Sequence, residues 1–115
     1  MITIVIPTFN NLDYLKLCIK SIKKNSKYNH EIKLHINDGS DGTLDFARSN
    51  NIFYTHSKNN IGLCSSINLI SSTVQNKYLL YAHDDMYFCP NWDETLLNEV
   101  TKIGNDSFYL SGTMI

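Results

Sequence analysis

The chain has 115 residues, the size of one ordinary domain with room for a hydrophobic core. Its net charge of −1 and its charged fraction of 18% argue against a nucleic-acid partner and against an acidic tail. The three cysteines form no CxxC pair and no apolar run approaches the roughly 18 residues of a membrane span, so the sequence favours neither a disulfide framework, a zinc site nor a membrane helix. Met1 leads directly into a strand pattern rather than a signal peptide, and we expect a cytoplasmic protein.

The chain opens with a strand pattern followed by a helix pattern. Residues 2–6 are β-branched, and Pro7, which has no N–H to donate to a neighbouring strand, is expected to close the strand. Apolar residues then recur at steps of three and four along residues 12–22, the period of an amphipathic helix. Asn10 or Asn11 is suited to cap that helix, because a short amide side chain can accept a hydrogen bond from the first turn.

A second strand is predicted at residues 31–36, where apolar and polar side chains alternate. Lys33 and His35 lie on its polar face, so this strand is expected to be less enclosed than the first. It runs into residues 37–43, a cluster of turn-forming residues whose glycines permit positive φ. A turn that caps the next helix explains most of these residue types, yet Asp38 is also placed to face a ligand at the end of the strand.

Two further strands alternate with helices. A short helix at residues 44–49 leads to a third strand at residues 52–55, and a long helix pattern begins at Leu63. The fourth strand lies within residues 77–89. Because it is hydrophobic on both faces, we expect it inside a sheet that is covered on both sides.

The last predicted elements are a helix after Pro90 and a fifth strand at residues 107–115. Gly104 is expected to end the helix, since glycine is common just past a helix C-terminus. Asp93, Glu94 and Glu99 are interpreted as its dipole-matched start and its solvated face.

Strands and helices that alternate at spacings of about 20 to 30 residues predict an α/β fold, an open, mainly parallel sheet with helices on both faces. In such a sheet the carboxyl ends of the strands meet at one edge, where ligands bind. Three polar turns are expected there: residues 7–11 after strand one, residues 37–43 after strand two, and the turn that holds Asp84 and Asp85 after strand four. The sequence therefore predicts a ligand site at this edge.

The adjacent acids Asp84 and Asp85 indicate what chemistry this edge can support. Two neighbouring carboxylates repel each other, so they need a compensating cation, either a hard metal ion such as Mg²⁺ or Mn²⁺ or a basic side chain. A solvated turn that merely ends the strand is the alternative interpretation. No GxGxxG or GxxxxGK[ST] follows any strand, so a diphosphate would need a metal on these carboxylates, helped by Lys58 and the backbone amides of residues 60–62. Asp38 is able to accept an N–H from a pyrimidine or the hydroxyls of a ribose.

The sequence contains no convincing set of residues for covalent catalysis, because its serines and histidines lack motif spacing. His83 precedes the acid pair and is able to tune it, although a structural role is more common for a single histidine. Four aromatic side chains are able to stack on a base or a sugar, although such residues at element boundaries more often belong to the core. These are Phe9, Tyr87, Phe88 and Trp92.

Four motifs, taken in order, resemble a known family. They are IVIPTFNN before an amphipathic helix, INDGSDGT, KNNIG ahead of a helix that contains Asn68, and YLLYAHDDMYFCPNW. Together they are similar to the nucleotide-binding half of a family-2 glycosyltransferase with the GT-A fold, and the resemblance covers nearly the whole chain. It implies a single GT-A-like nucleotide-sugar-binding domain over residues 1–115 that lacks the acceptor-binding half.

The resemblance also implies roles at the nucleoside end of a donor. Pro7 and Thr8 would line the nucleoside pocket, and Asp38 would bind the base or the ribose. The family often has two acids in that turn, whereas the first position here is Asn37, so the nucleoside contact of a first acid is not assigned to this chain.

At the diphosphate end, the resemblance places Lys58 where a basic side chain is sometimes found. Asp84 and Asp85 match the DxD-like acid pair of the family. Asp85 would ligate Mn²⁺ or Mg²⁺ directly, and Asp84 would contact the ribose or support the metal.

The implied reaction transfers a sugar from a nucleoside-diphosphate sugar, with a UDP-sugar favoured, to a glycan or another acceptor. Family members carry the acceptor base in a later half, so no general base is assigned here. A non-catalytic nucleotide-sugar-binding or oligomerisation module is the alternative, in which an open edge beyond strand five would pair with a second copy or a partner chain. A flavodoxin-like phosphoacceptor domain is disfavoured, because its acid pair follows strand one rather than strand four.

Overall fold

The computed structural model describes residues 2–104 of the 115-residue chain. In this part the elements are β1 (Ile2–Phe9), α1 (Leu12–Asn25), β2 (Glu31–Asn37), α2 (Thr43–Ser49), β3 (Phe53–Ser57), α3 (Leu63–Ser71), β4 (Tyr78–Tyr81) and α4 (Trp92–Ile103). The strands form one parallel sheet in the order β3-β2-β1-β4. The predicted open, parallel α/β fold is therefore confirmed, and the predicted fifth strand at residues 107–115 lies outside the described residues.

One face of the sheet carries the apolar core. Ile4 pairs with Ile32 and Ile6 pairs with Leu34 across β1 and β2, so these side chains share a face. Each aliphatic side chain that leaves water contributes roughly 1.5–3 kcal/mol, which makes this face the main source of stability. Helices α1, α2 and α4 cover it with Leu15, Cys18, Ile19, Ile22, Ala47, Leu96 and Leu97.

The other face of the sheet is polar and lies under α3 and the segment that follows it. Thr3, Lys33, His35 and Asn37 are buried there. The buried Lys33 ammonium has a hydrogen-bond partner, because it donates to the Thr73 carbonyl over 2.7 Å. The expectation that β2 is less enclosed than β1 is therefore wrong. β2 lies between β3 and β1, and α3 covers the face that the sequence alternation leaves polar.

β1 continues through Pro7 to Phe9, so the prediction that Pro7 closes the strand is wrong. In a parallel sheet, successive residues of one strand form their backbone hydrogen bonds with the two flanking strands in alternation. The Val5 carbonyl accepts the Ala82 N–H on the β4 side, so the missing N–H of Pro7 also falls on that side. Pairing with β4 ends at Tyr81, opposite Val5, and Pro7 therefore interrupts no ladder bond.

β4 is short and lies at the edge of the sheet that the described residues form. Tyr78 and Leu80 pack against the apolar core, but Leu79 is 44% exposed. Helix α3 lies over β1, β2 and β3, which leaves the second face of β4 open within residues 2–104. The expectation that this strand is covered on both faces is thus wrong for the described part of the chain.

The helix boundaries lie close to the predicted ones, but the cap of α1 comes from elsewhere in the chain. Asn11 occupies the N-cap position without a capping side-chain bond, and the Asp41 carboxylate accepts the Leu12 N–H over 3.1 Å instead. α4 begins two residues after Pro90 and ends at Gly104, whose φ of 74° is the left-handed conformation expected there. Within residues 2–104, none of these helices has the length and apolar character needed to cross a membrane.

Asp93 is fully buried at the start of α4, so its interpretation as a solvated residue is wrong. Its two carboxylate oxygens accept the backbone N–H groups of Lys27 and Tyr28 over 2.9 and 2.8 Å. His30 contacts the same carboxylate over 2.8 Å through Nε2, and its Nδ1 accepts the Ile2 N–H over 3.1 Å. These bonds join the turn before β2, the start of β1 and the start of α4 at the amino end of the sheet.

Candidate functional site

A cleft of about 330 Å³ opens at the carboxyl edge of the sheet, where the sequence predicts a ligand site. The end of β1 contributes Thr8 and Phe9, the start of α3 contributes Ser66, and the turn after β4 contributes Asp84. A volume of a few hundred cubic ångströms, with a small number of convergent polar groups, is typical of small-molecule sites.

The structure brings three of the six predicted site residues into the cleft lining, and these are Pro7, Thr8 and Asp84. The other three, Asp38, Lys58 and Asp85, do not line it. Asp38 lies at the rim, because it is hydrogen-bonded to Asn10, which lines the cleft. Lys58 is exposed on the loop that leads from β3 to the lining residue Asn60. Asp85 is the exposed neighbour of Asp84.

A hydrogen bond between neighbouring strand ends holds the first acid of the pair. The buried Thr8 hydroxyl donates to Asp84 Oδ2 over 2.8 Å. This contact exists because β1 extends beyond the end of β4, which places Thr8 beside the turn after β4. A hydroxyl donor stabilises the ionised carboxylate and fixes its direction.

The acid pair gives this edge a negative potential. Burial, together with the charges of Asp84 and Asp85, raises the pKa of the Cys18 thiol to about 12. Partial burial and the same two charges raise the pKa of Tyr81. Negative charge at this edge disfavours further anions, so a diphosphate bound here needs a cation beside it.

The turn after β2 presents Asp38 in a strained but well-supported conformation. Its φ of 60° is left-handed, and the next residue, Gly39, has a φ of 84°. Asn10 donates to Asp38 Oδ2 over 3.0 Å and the Ser40 N–H donates to Oδ1 over 3.2 Å. The bond from Asn10, followed by those from Ser40, lowers the pKa of Asp38, so this residue is an ionised acceptor at the cleft rim.

Of the four aromatic candidates, Phe9 is the one that lines the cleft, and its side chain is 49% exposed. Phe88 and Trp92 pack against the core instead, with ring centroids 4.8 Å apart. Tyr87 is exposed. An exposed aromatic face beside polar groups is suited to stacking on a planar ring.

The sequence assigns no role to the cleft residue Ser66, and it indicates Asn10 only as a candidate helix cap and Asn60 only through its backbone amide. A signal for Ser66 was present, because it falls on the buried side of α3 one turn before Ile70. A small polar residue on an apolar stripe indicates a buried hydrogen bond. Asn10 has no such signal, since asparagines in turns are common whatever they contact.

The donor set at this edge fits a hard metal ion only if a ligand completes it. The described residues, 2–104, contain no group of three or more His, Cys, Asp or Glu side chains able to hold a metal on their own. Asp84 and Asp85 supply carboxylates, which Mg²⁺ and Mn²⁺ prefer, and both ions commonly take their remaining ligands from phosphate and water oxygens. The two acids are therefore consistent with an ion shared with a bound diphosphate.

The described residues form a parallel α/β domain with a polar, acid-bearing cleft at the carboxyl ends of its strands. The model of the family described as Glycosyl transferase family 2 matches residues 3–114. The chain therefore belongs to glycosyltransferase family 2, as the sequence motifs indicate.

The curated relatives are themselves described as uncharacterized glycosyltransferases. One from Rickettsia prowazekii is 31% identical over 109 residues, which cover 91% of this chain and 33% of the relative. One from Rickettsia bellii is 29% identical over 118 residues, which cover 97% of this chain and 17% of the relative. The chain thus spans between 17% and 33% of the length of such relatives.

Solved glycosyltransferase structures share the fold. S. aureus TarS 1–349 superposes with a TM-score of 0.73 at 20% identity, over 89% of this chain and 32% of that one. The mannosyltransferase PcManGT from Pyrobaculum calidifontis, in complex with GDP-Man and Mn²⁺, superposes with a TM-score of 0.74 at 18% identity, over 90% of this chain and 32% of that one. A complex of TarS 1–349 with UDP-GlcNAc superposes with a TM-score of 0.69 at 21% identity, over 89% of this chain and 30% of that one. The predicted GT-A fold is confirmed by these likenesses.

Proposed function

We propose that this domain binds a nucleoside-diphosphate sugar, with a UDP-sugar favoured, and supplies the donor half of a glycosyltransferase. The observation that carries the proposal is the cleft at the carboxyl edge, in which Thr8 holds Asp84 beside the start of α3. Family membership supports it, as do the structural relatives solved in complex with UDP-GlcNAc or GDP-Man.

At the nucleoside end, Pro7 and Thr8 line the pocket and Phe9 offers a ring on which a base can stack. Asp38 lies at the rim as an ionised acceptor. It is suited to accept an N–H of a pyrimidine or the hydroxyls of a ribose. This assignment uses the part of the cleft between β1 and the turn after β2.

At the diphosphate end, Asp85 and Asp84 would hold Mn²⁺ or Mg²⁺, with Asp85 as the direct ligand of the DxD-like pair. Such an ion, when bound, offsets the negative charge of the diphosphate as it departs. Lys58 is exposed on the loop before α3 and is assigned to the same diphosphate. Asp84, oriented by Thr8, supports the metal or contacts the ribose.

The reaction assigned to the whole enzyme is a displacement at the anomeric carbon. An acceptor hydroxyl of a glycan or another molecule forms the new C–O bond, the bond to the diphosphate breaks, and the hydroxyl proton passes to a base. The residues assigned above act on the donor side of that reaction. A cytoplasmic location, and a second copy or a partner chain as a further component, stay predictions.

Calorimetric titration of UDP, with and without Mn²⁺, tests the proposal. We expect Mn²⁺-dependent binding to the unmodified chain. Asp85→Ala should weaken that binding by about tenfold or more, since a lost carboxylate ligand costs at least about 1.4 kcal/mol. In the absence of metal, the substitution should change UDP affinity much less.

Asp45→Ala is the matched control, because Asp45 is an exposed acid on α2 that lies outside the cleft lining. Its UDP affinity should equal that of the unmodified chain. Absence of UDP binding by a folded protein under both conditions would contradict the proposal. Binding without sugar transfer to any acceptor tested would support the alternative of a non-catalytic nucleotide-sugar-binding module.

A further inference from the structure

Asn37 lines the inner wall of the cleft at the end of β2, with 4% of its surface exposed. In the sequence it stands out only as a departure from a two-acid turn. In the structure, its side-chain amide makes four hydrogen bonds to β1, β3, the loop after β3 and α3. One uncharged side chain therefore joins most of the segments that shape the cleft.

The amide oxygen holds the loop between β3 and α3. Asn37 Oδ1 accepts the Ile61 N–H over 3.0 Å and the Ser57 hydroxyl over 3.0 Å. Ile61 immediately precedes Gly62, which lines the cleft at the start of α3. The acceptor side of the amide thus sets where this loop meets the cleft.

The amide nitrogen holds the opposite side. Asn37 Nδ2 donates to the Thr8 carbonyl over 3.2 Å and to Ser66 Oγ over 3.1 Å. Thr8 is the residue whose hydroxyl holds Asp84, and the Ser66 hydroxyl donates to the Gly62 carbonyl over 2.6 Å. An aspartate is able to accept as Asn37 Oδ1 does, but its ionised carboxylate has no N–H to donate.

Two backbone groups fix which way the Asn37 amide points, because the Ile61 N–H can only donate and the Thr8 carbonyl can only accept. Nδ2 of Asn37 therefore faces Thr8 and Ser66. His35 lies in the same polar layer, with Nδ1 2.7 Å from Thr55 Oγ1 and Nε2 3.0 Å from Ser57 Oγ. The Ser57 hydroxyl has two acceptors within reach, the Asn59 carbonyl over 2.7 Å and Asn37 Oδ1 over 3.0 Å.

We propose that Asn37 is a positioning residue for the sugar-nucleotide cleft, which locks the loop before α3 and the Thr8–Asp84 pair into one geometry. Because its side chain is uncharged, Asn37 also adds no negative charge to a cleft whose acids already disfavour anions. The part of the inference that concerns the ligand rests on the proposed function. The part that concerns the loop and α3 stands on the hydrogen bonds alone.

Two variants separate the roles of the amide. Asn37→Asp keeps an acceptor and removes the donors, whereas Asn37→Ala removes both. Asn76→Ala is the matched control, because Asn76 Nδ2 also bonds to the sheet, donating to Thr3 Oγ1 over 2.7 Å at the amino end of the same face. Three quantities are measured: the unfolding free energy, amide hydrogen exchange at Ile61 and Ser66 by NMR, and UDP affinity with Mn²⁺.

We expect Asn37→Ala to speed exchange of the Ile61 amide by about tenfold or more, since its acceptor is gone. Asn37→Asp should leave Ile61 exchange within about threefold. It should speed exchange of the Ser66 amide, which bonds to the Gly62 carbonyl, because the Ser66 hydroxyl that also bonds to that carbonyl loses its Asn37 donor. Both variants should weaken UDP binding by about tenfold, because each removes the amide donor bonds to Thr8 and Ser66 that hold the cleft in one geometry. Asn76→Ala should change only the unfolding free energy.

The ligand-free exchange rates decide the positioning role even if UDP does not bind, so failure of the proposed function is distinguishable from failure of this inference. Asn37→Asp is close in shape to the native residue and supplies the decision if Asn37→Ala does not fold. In Asn76→Ala, the exchange rates of the Ile61 and Ser66 amides should change only as far as the unfolding free energy does. The same behaviour in the Asn37 variants would overturn the inference. Unchanged UDP affinity in Asn37→Asp would overturn its ligand part.

Discussion

Replacing Asp93 by asparagine is expected to lower the free energy of unfolding by about 3 kcal/mol, because each hydrogen bond to a buried charged group contributes roughly 1.5–3 kcal/mol and the substitution loses at least one of them. The Asp93 carboxylate is fully buried and accepts the N–H groups of Lys27, Tyr28 and Glu94 as well as the His30 contact. Asparagine presents only one acceptor oxygen, and its NH₂ group would face backbone donors. Urea denaturation at pH 7 measures the change, which should appear as a lower midpoint.

The same substitution should change how stability depends on pH. Burial alone would raise the pKa of Asp93, but the hydrogen bonds from Lys27, Tyr28, His30 and Glu94 outweigh it and lower the pKa from 3.8 to about 2. Because the folded-state pKa lies below the unfolded one, this stabilisation is complete above about pH 4 and is lost as the pH falls through about 2. At about 1.4 kcal/mol per pKa unit, it amounts to about 2 kcal/mol. The stability difference between the native chain and Asp93→Asn should therefore shrink between pH 5 and pH 2.

Glu94→Gln is the matched control for Asp93. Glu94 is the next residue on the same helix turn, and its carboxylate pairs with the Lys27 ammonium over 3.3 Å at a largely exposed position. An exposed pair of this kind is worth about 0.2–1 kcal/mol, so the control should cost less than about 1 kcal/mol. Equal costs for the two substitutions would show that the buried carboxylate does not stabilise the junction between α1 and α4.

The secondary structure could be predicted because each segment carries its own periodicity. Residues 2–6 and 31–36 read as strands, and the apolar stripe of residues 12–22 reads as α1, from side chains a few positions apart. Features that depend on neighbours in space could not be predicted. Asp93 resembles any acid at a helix start, and the amides it accepts lie 65 and 66 residues away along the chain.

The place of β4 at the edge of the sheet that residues 2–104 form illustrates the same point at the level of the sheet. The run of apolar residues in β4 indicates a strand but not its position in the sheet, because the order β3-β2-β1-β4 is set by packing rather than by chain order. The continuation of β1 through Pro7 depends on where β4 stops, which no local pattern contains.

The position of the candidate site could be predicted because the carboxyl ends of parallel strands lie at one edge of the sheet. That argument places the turns with Thr8, Asp38 and Asp84 at one edge, as observed. It does not contain the register that puts the Thr8 hydroxyl on Asp84, nor the network around Asn37. The alternating polar positions of β2 that end at Asn37 were a usable signal, since buried polar residues on a central strand require partners.

Replacing Gly39 by alanine is expected to cost about 2–4 kcal/mol of unfolding free energy, from backbone strain and steric overlap together. Gly39 has a φ of 84°, a conformation that costs a residue with a Cβ about 1–2 kcal/mol. The added Cβ would also lie 2.7 Å from Ile36 Cγ2 and 2.8 Å from Leu44 Cγ. Neither atom is the free end of a flexible chain, because Ile36 is fully buried in β2 and Cγ of Leu44 is a branch point. Urea denaturation measures the loss.

Gly104→Ala separates the two contributions. Gly104 has a similar φ of 74° in the left-handed region, but an added Cβ would meet no heavy atom of the described chain within 4 Å. This control should therefore lose only the strain of about 1–2 kcal/mol, and the excess cost of Gly39→Ala reports the overlap with Ile36 and Leu44. Equal costs at the two positions would mean that the turn after β2 relaxes around the new methyl group. The Gly39 N–H donates to Asn10 Oδ1 over 3.0 Å, so a turn displaced by the overlap should also disturb the Asn10–Asp38 pair at the cleft rim.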